Sequence, residues 1–371
     1  MKIAIVHDFL TKIGGAEKVL LEITKIFPDA PIFSLLYDQE GTKGYFSEKN
    51  VITSYLNKYP RSIVKSKKFL LSKFPQAIES FDFSEYDIVI SSSNSYAHGI
   101  LTKPSTLHIC YSHSPMRFVW DWYHEYLSEN KIGLSPIGLY IRKLLHDIRI
   151  WDFVAADRAD YWLANSRNSA DRIKKYYKKA STIIYPPVNL ESISPSFDLP
   201  DDYYLIVSRL EPYKKIDFVI DTFNKNRKNL VIIGEGSDKS RLKKLAKDSI
   251  EFLGWQSDQS VHEYMKNAKA LIFPGEEDFG ITPIESLASG RPVIAYGKGG
   301  VKESITAKTG VFFSEQNEDS LNVAVRELEK NYINFSPHEC RNQAEKFSNA
   351  IFTKQLMEFV KEKQKEYFDE K

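Results

Sequence analysis

Residues 270–290 read ALIFPGEEDFGITPIESLASG, a short apolar run followed by a polar loop and then by a segment with helical spacing. An apolar run of this length, bounded by Pro and Gly, is typical of a strand buried on both faces. In the segment that follows, Thr282 is a candidate N-cap, Pro283 suits the first helical position and Gly290 suits the residue after the helix. The stretch therefore predicts a strand, a loop and a helix, the repeating unit of a parallel α/β sheet.

The same alternation recurs on both sides of this stretch and breaks at residues 190–203, which hold prolines and acids without a clear period. We interpret 190–203 as a linker between an N-terminal domain at 1–189 and a C-terminal domain at 190–349. A final helix at about 350–371 could pack back across the first domain. The predicted fold class is α/β, with two Rossmann-like doubly wound domains that face a cleft. The predicted strands are Ile3–Val6, Asp87–Ser91, Leu107–Tyr111, Tyr161–Ala164, Thr182–Tyr185, Tyr204–Ser208, Leu230–Ile233, Ile250–Leu253, Ala270–Phe273, Pro292–Ala295 and Val311–Phe313.

Composition and charge exclude several classes of protein. The 371 residues are 42% hydrophobic and 27% charged, which is ordinary for a globular chain. Because 51 Lys and Arg nearly balance 49 Asp and Glu, the formal net charge is only +2, which gives the chain as a whole no electrostatic attraction to nucleic acid. Cys110 and Cys340 are too far apart for a zinc site with ligand spacing. The apolar run at the N-terminus is too short for a signal peptide, and no window approaches the ~18 apolar residues that a membrane-spanning helix needs. The sequence therefore predicts a soluble, cytoplasmic protein.

Two glutamates are separated by seven residues: Glu277 lies in the loop, and Glu285 lies in the first turn of the predicted helix. The backbone N–H groups of Gly280 and Ile281 stand at that helix N-terminus, an arrangement that binds phosphate. A capping box with Thr282 is the alternative for Glu285, whose carboxylate would then only accept from a backbone donor. The alternative for Glu277 is a solvated loop acid.

Cations and a histidine follow other predicted strands. In SRLEPYK, Arg209 and Lys214 could converge on one diphosphate, or they could be solvated surface cations. Gly14 and Gly15 after the first strand allow a close approach of phosphate or sugar, although such pairs are also common in turns. His113 lies just past a strand and could bond to a reacting sugar or be a structural histidine. Neither a GxGxxG motif nor a Walker lysine is present in these loops.

Residues 57–75 carry cations with interleaved apolar residues and no acid. This patch predicts peripheral contact with an anionic membrane surface, on the inner face of the cytoplasmic membrane. The alternative is a solvated basic face. The sequence contains no D-x-D triplet, and His262-Glu263 lacks the second histidine of HExxH, so no metal site is predicted.

Taken together, these motifs resemble those of the retaining glycosyltransferase family 4, whose members have the two-domain GT-B fold. The resemblance covers nearly the whole chain, and its N-terminal part looks most like bacterial mannosyltransferases that build O-antigen or capsular polysaccharide. The stretches that carry it are EEDFGITPIESLASGRPVIAYGKGG (276–300), SRLEPYKKID (208–217), IIGEG (232–236), EFLGW (251–255), HDFLTKIGGAEKVL (7–20) and YSHSPMRFVWDWYHEYL (111–127).

The resemblance implies a role for each matching residue. Arg209 and Lys214 would neutralise the leaving diphosphate, Glu277 would contact the donor sugar, and His113 would bond to that sugar near the reacting centre. Glu285 would bind the ribose hydroxyls. The nucleotide-sugar site would be completed by Gly14 and Gly15, where the first domain closes, by Leu253 and Gly254 near the base, and by the backbone of Phe279, Gly280 and Ile281.

The implied reaction is the retaining transfer of a hexose from a nucleotide sugar to a glycan or lipid-linked acceptor, in polysaccharide or lipopolysaccharide synthesis. Mannose from GDP-mannose is the first expectation. No cofactor and no metal are expected, because the cations would stabilise the departing diphosphate themselves. The alternatives are a nucleotide-sugar epimerase or a phosphorylase of the same fold, or a non-catalytic scaffold that binds nucleotide sugars.

Overall fold

The computed structural model describes residues 1–60, 63–64 and 67–369. The chain divides into two compact units. Unit 1 comprises Met1–Tyr185 and Phe352–Lys371, and unit 2 comprises Pro186–Ile351. Each unit is built on one parallel β-sheet with helices between the strands, so the predicted α/β class with two doubly wound sheets is confirmed.

The sheet of unit 1 has the strand order β3-β2-β1-β4-β5-β6-β7, with every neighbouring pair parallel. Its strands are β1 (Ile3–Leu10), β2 (Ile32–Tyr37), β3 (Val51–Thr53), β4 (Ile88–Ser93), β5 (Leu107–Ser112), β6 (Tyr161–Ala164) and β7 (Thr182–Ile183). The helices in the first part of the chain are α1 (Gly15–Ile26), α2 (Phe74–Glu79), α3 (Tyr123–Glu129), α4 (Pro136–Ala155) and α5 (Arg167–Tyr177).

The first strand explains why this sheet is buried on both faces. Ala4 and Val6 belong to one apolar cluster, whereas Ile5 between them belongs to the other. Successive side chains of a strand point to opposite faces, so a continuous apolar run requires helices on both sides.

The observed strands differ from the sequence prediction at several ends, since β4 continues to Ser93, β5 continues to Ser112 and β7 already ends at Ile183. The first strand does not end at Val6 but continues through His7 and Asp8 to Leu10, so polar side chains stand inside a buried strand. The strands β2 and β3 were not predicted. In β2 the hydroxyl of buried Ser34 donates to Leu36 O at 3.1 Å, which accommodates a polar residue in the apolar run.

The terminal helix α13 (Asn349–Asp369) packs on unit 1 over most of its length. Phe352, Leu356 and Phe359 are buried in the cluster that also holds Ile5 and Leu10. Near the end of the helix, the Tyr367 hydroxyl donates to Pro104 O at 2.7 Å. The apolar stripe of the helix therefore completes one face of the unit 1 core.

The sheet of unit 2 has the order β10-β9-β8-β11-β12-β13 and is also entirely parallel. Its strands are β8 (Tyr204–Val207), β9 (Leu230–Ile233), β10 (Ile250–Gly254), β11 (Ala270–Phe273), β12 (Val293–Tyr296) and β13 (Gly310–Phe313). Its helices are α6 (Asp217–Asn226), α7 (Lys239–Leu245), α8 (Asp258–Asn267), α9 (Ile281–Ala288), α10 (Val301–Ser304), α11 (Glu318–Lys330) and α12 (Pro337–Glu345).

The interpretation of residues 190–203 as a linker is wrong, because this segment belongs to unit 2. Leu190 and Ile193 are buried, and the guanidinium of Arg341 donates to both of their carbonyl groups at 3.1 and 2.8 Å. The chain instead passes from unit 1 to unit 2 at Tyr185. Prolines and acids in this segment break its periodicity, although it is packed against its own unit.

Within the part of the chain that the structure describes, none of the helices combines the length and the apolar character that crossing a membrane would need.

Candidate active site

The carboxyl ends of β8 and β11 lie side by side, at the point where the strand order of unit 2 reverses. Ligands of doubly wound sheets bind outside the carboxyl ends of the strands at such a point. Arg209 follows β8, Lys214 ends a short 3₁₀ turn (Pro212–Lys214), and Glu277 lies in the loop after β11. Lys214 Nζ forms an ion pair with Glu277 Oε1. The structure thus brings two of the predicted site residues into direct contact.

The backbone of the loop that carries Glu277 is held by the segment after β12. Gly300 N donates to Glu277 O at 2.9 Å, and Glu277 also forms a parallel bridge with Gly299. A Cβ atom at Gly300 would lie 2.0 Å from Asp278 O, so only glycine permits this approach. These contacts hold the backbone at Glu277, and Lys214 holds its carboxylate.

Helix α9 begins at the end of this loop, and its N-cap is Gly280 with φ +91°. A positive φ is readily adopted by glycine, which explains why the chain turns into the helix here. The prediction of Thr282 as N-cap and Pro283 as first helical residue is wrong, since the helix starts at Ile281. The capping-box alternative for Glu285 loses its basis, because its cap would have been Thr282.

Glu285 is the fifth of the eight residues of α9, in the second helical turn and not in the first as predicted, and it is 9% exposed. Phe279, the residue before the N-cap, is buried, and its ring contacts that of Phe347 with centroids 5.6 Å apart. Gly290 follows the helix C-cap, and its N–H donates to Leu287 O at 3.0 Å, which confirms the predicted helix end.

Arg209 and Lys214 both contact Tyr213, a residue that the sequence analysis did not single out. Arg209 is exposed, and its Nη2 donates to the Tyr213 hydroxyl at 2.9 Å. Lys214 Nζ lies 5.1 Å from the centroid of the Tyr213 ring. A cation–π contact of this kind is typically favourable by about 0.5–2 kcal/mol, depending on how far it is removed from water. Tyr213 therefore links the two cations.

Leu253 and Gly254 end β10 at the same edge of the sheet. Gly254 O accepts from Gly234 N at 2.8 Å, which joins the loop after β9 to this strand end. The loop after β9 in turn contacts the Arg209 segment, since Leu210 N donates to Glu235 O at 2.9 Å.

In unit 1, His113 belongs to a row of contacting polar side chains at the carboxyl edge of the sheet. Ser92 Oγ lies 2.8 Å from His113 Nε2 and 3.1 Å from His7 Nδ1. Because the hydroxyl has one hydrogen, it donates to one of these rings and accepts from the other. His7 Nε2 lies 3.7 Å from Glu17 Oε1 in α1. The structure thus connects Glu17, His7, Ser92 and His113.

Burial and the contact with His7 set the protonation states of His113 and Glu17. Burial lowers the pKa of His113 to about 3, and the nearby His7 ring adds to this effect. Burial raises the pKa of Glu17, but the hydrogen bond and charge interaction with His7 outweigh it and leave that pKa below its usual value. At neutral pH His113 is therefore a neutral imidazole and Glu17 is a carboxylate.

Asp8 organises the backbone next to this row. Its Oδ2 accepts from Asn94 N at 2.5 Å and from Ser95 N at 3.0 Å. Its Oδ1 accepts from Tyr96 N at 2.6 Å and from Ala97 N at 2.7 Å. Four charge-assisted bonds to one buried carboxylate hold the segment after β4 in a single conformation.

Gly14 and Gly15 lie at the start of α1, where Gly14 is the N-cap and Gly15 is the first helical residue. A Cβ atom at Gly14 would lie 3.0 Å from Glu17 Oε2. The two glycines therefore adjoin the carboxylate that contacts His7.

His7, Asp8, Ser92, Glu17 and Tyr213 were missed at the sequence level. A signal existed for three of them, since His7, Asp8 and Ser92 are polar residues at the ends of otherwise apolar runs. Buried polar side chains require partners, so such residues mark an edge where polar groups meet.

No cluster of three or more His, Cys, Asp or Glu side chains suited to a metal ion occurs among the described residues. Independence from metal ions stays a prediction.

Comparison with known proteins bears on these residues. Residues 189–347 match the family model described as "Glycosyl transferases group 1". The chain is 28% identical over 193 residues to the O-antigen chain mannosyltransferase RfbU of Salmonella typhimurium, which covers 48% of this chain and 53% of the relative. An uncharacterized glycosyltransferase of Haemophilus influenzae is 23% identical over 82% of this chain and 83% of its own length. For several curated relatives the match spans only about half of their length.

Solved structures agree on the fold. The structure of Anabaena HepE in complex with UDP superposes with a TM-score of 0.70 at 17% identity, covering 98% of this chain and 100% of that one. A sucrose-phosphate synthase from Thermosynechococcus elongatus gives a TM-score of 0.74 at 16% identity over 97% and 98%. These matches support a GT4-like glycosyltransferase. Of the predicted site residues, Arg209, Lys214, Glu277 and Glu285 lie inside the matched family domain, whereas His113 and the Gly14-Gly15 pair lie outside it.

Proposed function

We propose that this GT4-like protein transfers mannose from GDP-mannose to a glycan or lipid-linked glycan, with retention of configuration, in the synthesis of a cell-surface polysaccharide or lipopolysaccharide. The observation that carries the proposal is the Lys214–Glu277 ion pair beside the N-terminus of α9, at the carboxyl ends of β8 and β11. The relatives whose names include O-antigen chain mannosyltransferase support the choice of mannose.

The chemistry that these residues supply is charge stabilisation. Cleavage of the sugar–phosphate bond leaves positive charge on the sugar and negative charge on the departing diphosphate. Lys214, Arg209 and the first N–H groups of α9 stabilise the diphosphate, because they are in place before the charge develops. Removing one such donor typically costs about 10²–10³ in turnover. The proposal requires no metal ion, so a chelator such as EDTA is expected to leave turnover unchanged.

The two glutamates have separate roles in this proposal. Glu277 holds Lys214 in position and binds hydroxyl groups of the donor sugar, to which a carboxylate offers strong acceptors. Glu285, on the following helix, binds the ribose hydroxyls. Neither is proposed as a nucleophile, since the departing phosphate accepts the proton of the attacking hydroxyl.

His113 is proposed to act as a neutral hydrogen-bonding group for the sugar. Its Nε2 is engaged by Ser92, whereas its Nδ1 makes no hydrogen bond with any described residue. A low pKa keeps the ring uncharged, which avoids repulsion of the positive charge that develops on the sugar.

The donor is identified by a thermal-shift screen followed by turnover. GDP-mannose is expected to raise the melting temperature and to be consumed when acceptor is added, because a ligand that binds only the folded state stabilises it. A larger shift and turnover with UDP-glucose or ADP-glucose would replace the donor but keep the reaction class. Binding without turnover of any sugar on lipid-linked and oligosaccharide acceptors would favour a non-catalytic scaffold.

Peripheral membrane binding is also proposed. The proposed contact surface includes exposed apolar residues beyond the segment 57–75. Arg61 and Lys65 of this segment lie outside the described residues. Leu70 and Phe74 are buried in the core, while Phe69 is 76% exposed. A cavity is lined by Ser72 and Pro75 of this segment and by Tyr140 and Lys143 of α4.

The adjoining part of α4 and the loop before it extend the exposed apolar surface. Leu134 is 76% exposed, Ile137 is 74% exposed and Tyr140 is 63% exposed. Exposed apolar side chains near lysines are typical of an interfacial membrane contact. The double variant L134S/I137S is expected to lose sedimentation with anionic liposomes, whereas Ile333→Ser, at a 94% exposed position of unit 2, should not. Equal sedimentation of both variants and the wild type would refute the membrane proposal.

A further inference from the structure

Two buried histidines, one near each end of β5, use their ring nitrogens differently. His108 engages both nitrogens, with Nδ1 3.2 Å from Arg158 O and Nε2 2.8 Å from Ser91 Oγ. His113 engages Nε2, which lies 2.8 Å from Ser92 Oγ, whereas its Nδ1 makes no hydrogen bond with any described residue. Because the polar atoms of a buried structural side chain are normally paired, Nδ1 of His113 remains for a ligand.

The position of the His113 ring is held by its neighbours. His113 N donates to Ser93 O at 2.8 Å, and Ser169 Oγ donates to His113 O at 3.0 Å. The ring of Tyr111 contacts the imidazole at an angle of 67°, with centroids 5.2 Å apart. Burial lowers the pKa of His113, so the ring is neutral and carries one hydrogen. The open question is which of its nitrogens bears that hydrogen.

Ser92 limits the answer to two arrangements. It is paired in register with His7 on adjacent strands, and its Oγ lies 3.1 Å from His7 Nδ1 and 2.8 Å from His113 Nε2. In one arrangement the hydroxyl donates to His7 and accepts from Nε2–H of His113, which leaves a lone pair on His113 Nδ1. In the other it donates to His113 and accepts from Nδ1–H of His7, and the hydrogen of His113 then lies on Nδ1.

Glu17 selects between these arrangements. Its Oε1 lies 3.7 Å from His7 Nε2, and the two side chains are 13% and 1% exposed, so water screens their interaction little. Glu17 is a carboxylate at neutral pH, and its oxygens can only accept. A lone pair on His7 Nε2 would be repelled by this charge, whereas an N–H group is attracted. Neutral His7 therefore carries its hydrogen on Nε2 and presents the Nδ1 lone pair to Ser92, which is the first arrangement.

We propose that Glu17, His7 and Ser92 are positioning residues that hold His113 in the tautomer with its hydrogen on Nε2, so that Nδ1 accepts a hydrogen bond from a hydroxyl of the donor sugar. The inference rests on the proposed glycosyl transfer, and it adds the direction of the bond and the residues that set it. An acceptor suits this place, because a lone pair is attracted to the positive charge that develops on the sugar.

The test reads the tautomer of His113 directly, by nitrogen-15 NMR of the histidine-labelled full chain at pH 8, where an ordinary imidazole is neutral. Couplings to the carbon-bound ring hydrogens distinguish a nitrogen that carries hydrogen from one that does not, and His113→Gln assigns the signals. We expect hydrogen on Nε2 in the wild type. Ser92→Ala and Glu17→Gln should move part of it to Nδ1, because an amide can donate to His7 as well as accept from it.

Glu22→Gln is the matched control for Glu17→Gln. Glu22 lies on the same helix and is 14% exposed, but its carboxylate pairs with Lys25. It should leave the tautomer of His113 unchanged. With the donor identified, Ser92→Ala and Glu17→Gln are expected to lower kcat about fivefold, the effect of one weakened hydrogen bond, with little change in KM. Glu22→Gln should stay within about twofold in both.

Hydrogen on Nδ1 in the wild type, or an unchanged tautomer in Glu17→Gln, would overturn the inference. Glu17→Gln decides the outcome if Ser92→Ala does not fold, because removing the buried hydroxyl leaves two ring nitrogens unpaired. The tautomer is measured without substrate, so the two proposals can fail separately. The expected tautomers without transfer by the wild type would refute the proposed function, whereas transfer by Glu17→Gln at the wild-type rate would refute only this inference.

Discussion

Single buried histidines make the stability of unit 1 depend on pH. His108 is buried, with Nδ1 donating to Arg158 O at 3.2 Å and Nε2 accepting from Ser91 Oγ at 2.8 Å. Burial lowers its pKa to about 4, partly opposed by the bond to Arg158. The unfolded chain therefore takes up a proton near pH 6.5 that the folded chain does not, so stability falls with pH below that value.

We expect the free energy of unfolding to fall less on acidification in His108→Gln than in the wild type. One histidine with a folded pKa near 4 costs about 2 kcal/mol between pH 7 and pH 5. Gln keeps a donor and an acceptor but does not titrate. Urea unfolding at both pH values, followed by tryptophan fluorescence, measures the difference.

Parallel pH dependence of wild type and variant would contradict this account. Other groups leave the comparison intact because both proteins share them. Burial lowers the pKa values of His98 and His113 to about 3 and acts in the same direction as His108. Burial raises the pKa of Asp152 to about 7, which opposes them, since the folded state then holds a proton that the unfolded state lacks.

For individual residues, the sequence indicated which side chains belong to the candidate site better than it indicated which residues they contact. Arg209, Lys214 and Glu277 were found because they follow strands at the carboxyl edge, and Lys214 and Glu277 do meet. Tyr213 and Glu17 were not found, since a tyrosine in a loop and a glutamate in a helix carry no local signal. Their importance comes from contacts between segments that the sequence does not reveal.

Among the elements, the loop between β11 and α9 depends on the segment after β12. Gly300→Ala would place a Cβ atom 2.0 Å from Asp278 O, so the Glu277 loop must move. We expect the variant to lower the melting temperature by several degrees and to weaken donor binding, because overpacking costs about 1–3 kcal/mol. Circular dichroism and a nucleotide-sugar titration measure the two effects.

Gly133→Ala is the control for this substitution, since a Cβ atom there would meet nothing within 4 Å. The loop account would be wrong if Gly300→Ala melted and bound donor like the control.

The boundaries of helices and strands were predicted where an apolar run sets them. They were missed where backbone conformation or hydrogen bonds to distant backbone groups set them. The strand at Ala270–Phe273 matches its prediction because its apolar run is unbroken. The start of α9 was misplaced because the positive φ of Gly280 ends the loop before Thr282. The polar end of β1 was missed because Asp8 bonds to backbone N–H groups far along the chain.

On the scale of the whole molecule, the terminal helix α13 contributes to the core of unit 1 although it follows unit 2 in sequence. Leu356 is fully buried, whereas its neighbour Met357 is 38% exposed. Leu356→Ala is expected to lower the free energy of unfolding by about 2–5 kcal/mol, the usual cost of a buried Leu-to-Ala change. Met357→Ala should have a small effect.

Urea unfolding followed by tryptophan fluorescence suits this comparison, because four of the five tryptophans lie in unit 1. Equal midpoints for the two variants would show that the helix is not part of that core. The packing of this helix was anticipated from the sequence as possible, but its contact surface depends on residues from β1 and β5 that only the fold brings together.

The central claim is that the cation at Lys214 drives the departure of the diphosphate, and the rate of hexose transfer by Lys214→Ala tests it most directly. Lys215→Ala serves as the control, since Lys215 is the adjacent residue and is exposed. With the donor identified by the thermal-shift screen, we predict that Lys214→Ala transfers about 10²-fold more slowly than the wild type, while Lys215→Ala stays within about twofold. Transfer by Lys214→Ala at the wild-type rate, or an equal loss in both variants, would contradict the account.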